Sequence, residues 1–186
     1  MPPFIKKFLI SFSVFFLFIL SSQNIFALEL KSKYFEVHIH KDIDSYKLLR
    51  KLNINYFLHL DMTALKASPN LESMLRDTLD AIYLEVSDIL DMHMYSFRVY
   101  LEILPNKNYL SKILQEHSRK EINISSFYFY EKNTIYISAE DLRVGMLGHE
   151  VAHAIISHYF VVPPPAKVQE ILSGYVEYSL NKSTDK

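Results

Sequence analysis

The segment His149-Glu150-Val151-Ala152-His153 constrains this chain more than any other. Side chains four residues apart on an α-helix stand one above the other on one face. The two imidazoles can therefore hold one metal ion from a single rigid element. Val144, Leu147, Val151 and Ile155 recur at helical spacing on a separate face. A metal face and a core face therefore coexist on one helix. Glu150 follows the first histidine and projects beside the metal position, where it can take a proton from a metal-bound water.

A catalytic zinc ordinarily takes three protein ligands and leaves a fourth position open. The chain contains no cysteine, which excludes disulfides and a lipid-modified N-terminal cysteine. The remaining ligand must be His, Asp or Glu. One class of zinc enzymes places a third histidine six residues beyond the second, after a glycine. Those positions are Tyr159 and Ile156 here, so that class is excluded. The next helical segment, Ala166 to Leu180, carries Glu170 and Glu177 on one face, about 10 Å apart along the axis at 1.5 Å per residue. His153 lies roughly 9 Å below the turn that contains Pro163, Pro164 and Pro165, and Glu170 roughly 6 Å from it. Glu177 would lie about 16 Å from the turn, too deep for an antiparallel partner, so Glu170 is the expected third ligand. Ser173 and Gly174 are small enough to let the two helices approach closely. Tyr175 and His158 are the alternatives for a group that stabilises a reaction oxyanion.

Upstream of these helices the pattern is mixed. Tyr34 to His40 alternates apolar and polar residues as a half-buried strand does, with His38 and His40 on the polar side as surface histidines. Ile43 to Leu52 predicts a short helix, and Ile54 to Leu60 a strand or a turn-rich link. Pro69-Asn70 opens a long helix to about Asp91, with Leu71, Met74, Leu75, Leu79, Ile82, Val86 and Ile89 on its buried face. Phe97 to Leu104 predicts a strand and Tyr109 to His117 a helix. Two runs, Ser126 to Tyr130 and Thr134 to Ser138, flank a short polar link and predict an aromatic β-hairpin. Tyr128, Tyr130 and Tyr136 would flank a cleft there. The fold class expected is α+β, with a mixed sheet, the aromatic hairpin and two C-terminal metal-binding helices.

The first 27 residues have the order of a secretory signal peptide. Lys6 and Lys7 precede an apolar run from Phe8 to Leu20, and Ile25-Phe26-Ala27 supplies a small residue at the cleavage position. The division expected is 1–27 as signal and 28–186 as one domain, exported to the periplasm or the extracellular space. An uncleaved N-terminal anchor is the alternative, and the one route to a membrane read from the sequence. The formal charge of −1 becomes −3 when Lys6 and Lys7 leave with the signal, which argues against a nucleic-acid partner.

Gly148-His149-Glu150-Val151-Ala152-His153-Ala154, followed by Gln169-Glu170-Ile171-Leu172-Ser173-Gly174-Tyr175-Val176-Glu177, resembles the gluzincin zinc peptidases, and most closely the small bacterial peptidase-MA-like family. The resemblance covers roughly Leu71 to Leu180. It implies a zincin-like fold, Zn²⁺ held by His149, His153 and Glu170, Glu150 as general base, and a peptide or protein substrate. The family's usual Glu-Gly-Leu-Ala is Glu170-Ile171-Leu172-Ser173 in this chain, with the glycine displaced to Gly174. Two functions are expected from these features: a zinc metallopeptidase, or a zinc-binding module that captures envelope peptides without cutting them.

Overall fold

The computed structural model describes residues 26–52, 54, 70–118 and 123–184. The expected signal segment up to residue 25 and most of the link from Ile54 to Leu60 lie outside them. Among the described residues, five strands form one sheet: β1 (Phe26–Lys31), β2 (Phe35–His40), β3 (Val99–Leu104), β4 (Ser126–Phe129) and β5 (Thr134–Ser138), in the order β1-β2-β3-β5-β4. The inner pairs β2–β3 and β3–β5 are parallel and the outer pairs are antiparallel. The architecture is α+β with a mixed sheet, as the alternation of strands and helices predicts.

β1 has no counterpart in the sequence reading. Its residues 28–31 pair with Ile39 to Glu36 of β2, while Phe26 sits across an irregularity in register. Ala27 thus falls at the outer end of a strand, and a chain beginning at Leu28 keeps those four pairings.

Parallel neighbours need long crossovers, and helices supply them. Between β2 and β3 run α1 (Ser45–Lys51) and α2 (Leu71–Leu90). Asp44 caps α1 by accepting from the Tyr46 and Lys47 amides, and Asn70 caps α2 by accepting from the Ser73 amide. α2 buries Leu75, Leu79, Ile82 and Val86, four of the seven residues expected on its inner face; Met74 is exposed. It ends at Asp91 in left-handed conformation, φ 52°. Asp80 ties α2 to the β1–β2 turn, accepting from the Ser32 hydroxyl at 2.7 Å and from the Tyr34 amide at 3.1 Å.

α3 (Lys107–Ser118), α4 (Val144–Tyr159) and α5 (Ala166–Thr184) are the other α-helices among the described residues. Phe35, Val37, Ile39, Val99, Leu101, Ile103, Ile135 and Ile137 form one core with α2, α4 and α5. A smaller core of Leu104, Leu110 and Tyr136 involves α3. His40 belongs to the interior and not to the surface. It is 3% exposed, its Nδ1 accepts from the Asp42 amide, and its ring meets Tyr109 edge-on.

α4 and α5 pack against each other through glycines of α4. A Cβ on Gly148 would collide with Leu180 Cδ1, and one on Gly145 with the Asn181 side chain. Gly174, expected at the close approach, has nothing within 4 Å of its Cβ position. Ser173 of α5 is fully buried, as are Val176 and Leu180. Of the two small residues expected on α5, Ser173 is thus buried and Gly174 is not at the approach, while Gly145 and Gly148 of α4 are.

Candidate metal centre

α4 begins after β5, with Val144, Leu147, Val151 and Ile155 buried as their spacing predicts. That rotation turns His149 and His153 toward α5. His149 Nε2 and His153 Nε2 lie 3.2 Å apart. Glu170 of α5 places one carboxylate oxygen 3.6 Å from the first and the other 3.4 Å from the second. The candidate ligand atoms of His149, His153 and Glu170 all lie within 4.8 Å of one another. The structure therefore brings together the three residues named from spacing and helix depth.

Glu177 is not among them, yet it is engaged. Its Oε2 lies 3.1 Å from His149 Nδ1. A carboxylate there holds the imidazole proton on Nδ1 and leaves the Nε2 lone pair free toward Glu170 and His153. Depth along α5 keeps Glu177 from the metal position, but the ring of His149 spans the difference. Gln169 plays a comparable part for His153. Its side chain hydrogen-bonds His153, donates to the Pro164 carbonyl at 2.8 Å and accepts from the Ser157 hydroxyl. Neither role was read from the sequence; a polar residue next to Glu170 and a second acid on the same helix face were the available signals.

The donor set fits zinc: two imidazole nitrogens and one carboxylate oxygen, with outward nitrogens already oriented. Burial lowers the pKa of His153 below its ordinary value, and neighbouring His149 adds to this, while Glu170 opposes it. The neutral, ligating form of His153 is favoured accordingly.

Glu150 sits beside this cluster, 7% exposed. It accepts from the Ser126 hydroxyl at 2.7 Å and from the backbone amide of Tyr128. Burial pushes its carboxyl pKa up, and the Ser126 bond, the charge of His149 and the Tyr128 amide partly counter that. A carboxylate so placed is a better proton acceptor at neutral pH than an exposed one. Ser126 is the partner that sequence reasoning missed.

β4 closes the site on the other side. The Ser125 carbonyl accepts from the Ser138 amide, so the alternate residues Ser126 and Tyr128 direct their backbone groups away from β5 and toward α4. A cleft of about 560 Å³ opens over the cluster, lined by β4 together with Tyr130, Pro163, Ala166 and Gln169. Tyr128 and Tyr130 line it as expected. Tyr136 does not: it is buried and stacks on Phe127.

The two expected oxyanion groups lie outside the lining. Tyr175 stands on the exposed side of α5, and His158 is committed to Tyr128, its Nε2 2.8 Å from the phenolic oxygen. Tyr128 in turn donates to Asn133 Oδ1, whose amide nitrogen donates to the Arg98 carbonyl. His158 Nε2 therefore carries the proton in this chain of bonds, which pins the Tyr128 ring in the cleft wall. Burial lowers the His158 pKa below the ordinary 6.5.

No family model, curated protein or solved structure matches the chain.

Proposed function

We propose that this protein is an exported zinc-dependent metallopeptidase of the gluzincin type, with Glu150 as its general base. The observation that carries this reading is the convergence of His149, His153 and Glu170 within 4.8 Å beside the buried carboxylate of Glu150. A bound zinc ion would supply Lewis acidity, polarising a carbonyl and lowering the pKa of a water toward neutrality. The chain's own groups supply the rest. Glu177 and Gln169 hold the imidazoles in register, and Glu150 accepts a proton and can return it to a leaving amine. An extended peptide would lie along β4, whose outward backbone groups can extend the sheet by one strand. Ser126 and the Tyr128 amide would release Glu150 as substrate engages.

A second reading has its own support. Glu150 already holds two hydrogen bonds, and a protein that only captures peptides would keep them. The deciding experiment measures metal content and peptide cleavage for the wild type and Glu150→Gln. The peptidase reading expects one bound zinc in both and a loss of turnover of about 10²- to 10⁴-fold in the variant. Unchanged turnover, or no metal, would sink it; zinc without turnover in the wild type would favour capture.

A further inference from the structure

Among the described residues, thirteen large apolar side chains stand exposed, and eight of them fall between positions 159 and 178. That concentration makes a patch, where scattered exposed side chains would need no explanation. Val161 and Val162, at the turn between α4 and α5, are 103% and 79% exposed. From the turn, Val168, Ile171, Tyr175 and Tyr178 recur at intervals of three and four along the side of α5 away from the core, all exposed.

The order of these residues is not arbitrary. Moving away from the turn, the stripe is aliphatic, then tyrosine, with Lys182 beyond it about 21 Å from Val168 at 1.5 Å per residue, while Lys167 stands beside Val168 at the turn end. Aliphatic groups innermost, with phenols and then an ammonium group farther out, is the order of a bilayer interface, and the long Lys167 side chain can reach from the turn end back to the headgroups. Charge agrees. The two carboxylates of α5, Glu170 and Glu177, are both turned to the histidines of α4. No acidic residue occurs between Glu150 and Glu170, and exposed Lys167 and Lys182 stand at the two ends of the stripe. A second copy of the chain explains the patch less well. The turn lies beyond the end of α5, so a copy packed along the helix would leave Val161 and Val162 in water. A stable pairing also needs about 800 Å² per partner.

We infer that the α4–α5 turn and the outer side of α5 form a surface that docks on a lipid bilayer, turn first. Pro163 and Ala166 belong both to this turn region and to the cleft lining. Docking would bring the mouth of the cleft against the membrane. The inference rests on the exposed side chains alone and stands whether or not the cleft cuts peptides.

Because the chain has no cysteine, a single Val161→Cys substitution can carry one environment-sensitive fluorophore. The full chain is mixed with vesicles of phosphatidylethanolamine and phosphatidylglycerol whose acyl chains are brominated. The expected result is quenching of the label at position 161, and little at Tyr46→Cys, an exposed site on α1. Adding Val162→Ser and Ile171→Ser should reduce the quenching at 161 by about tenfold without changing the far-ultraviolet circular dichroism. Several results would overturn the inference: no association with vesicles, vesicle association through the N-terminal segment with the label at 161 unquenched, or equal quenching at both sites. So would a spectral shift at 161 that grows with protein concentration in the absence of lipid, which would assign the patch to a second copy.

Discussion

Each imidazole of the candidate metal centre has two nitrogens, and which one is free depends on a neighbour outside the cluster. Glu177 settles this for His149 by holding Nδ1 at 3.1 Å. Glu177→Gln retains a hydrogen-bonding side chain but not the charge, and is expected to weaken zinc binding about 10- to 100-fold, measured by competition with a chelating dye. Glu170→Gln, which removes a ligand oxygen's charge, should weaken it more. The same residue-scale logic applies to His158. Its pKa is lowered by burial, so the unfolded chain binds the proton more readily and stability rises with pH in that range. The contribution is present above the unfolded value near 6.5 and is lost as pH falls from there through the lowered folded value. His158→Gln should flatten the decline in stability of the metal-free protein between about pH 7 and pH 5.5, read by urea unfolding at each pH. Glu150, whose pKa is raised, acts in the opposite sense and disfavours folding as pH climbs above its ordinary 4.5. The identities of His149, Glu150 and His153 were legible in the sequence because their relation is local, one helical turn. Ser126 was not, because 24 residues separate it from the Glu150 carboxylate it touches.

At the scale of elements, the α4–α5 pair carries the site, and its spacing is set by two glycines. Gly148→Ala would drive a methyl into Leu180 and should destabilise the protein by about 1–3 kcal/mol. Gly174→Ala meets no atom, lies mid-helix, and should stabilise by about 0.5–1 kcal/mol through the restricted unfolded backbone. Opposite signs for two glycine-to-alanine changes, measured by chemical denaturation, would establish which helix supplies the close approach. Helix periodicity makes the existence of both helices readable, and caps such as Asn70 mark where α2 begins. It cannot say which small residue faces the neighbour, because that depends on the rotation of each helix about its axis. The hairpin was readable from its two aromatic runs. Its position at the end of the sheet was not, since β5 could have paired on either side without changing the pattern.

For the whole molecule, the candidate metal position joins α4, through His149 and His153, to α5, through Glu170. A ligand that binds only when both helices are docked should stabilise the fold by mass action, about 2.7 kcal/mol at a free zinc concentration 100 times Kd. The melting temperature should rise on adding zinc and fall again with a chelator, and Glu170→Ala should reduce that rise. Local geometry explains what the sequence alone determined: a helix with a histidine side and a core side, a following helix with acids on one face, an aromatic hairpin before them and an α+β composition. These follow from repeats of two and 3.6 residues, which a single segment displays. Tertiary structure decided the rest, because it depends on how segments meet. It placed Glu170 against both imidazoles and Glu177 behind one of them. It turned β4 so that Tyr128 bonds Glu150, took His40 and Tyr136 into the interior, and left Tyr175 on an outer face. Two acids seven residues apart on one helix share a face, and only the depth and tilt of the neighbouring helix gave them different partners.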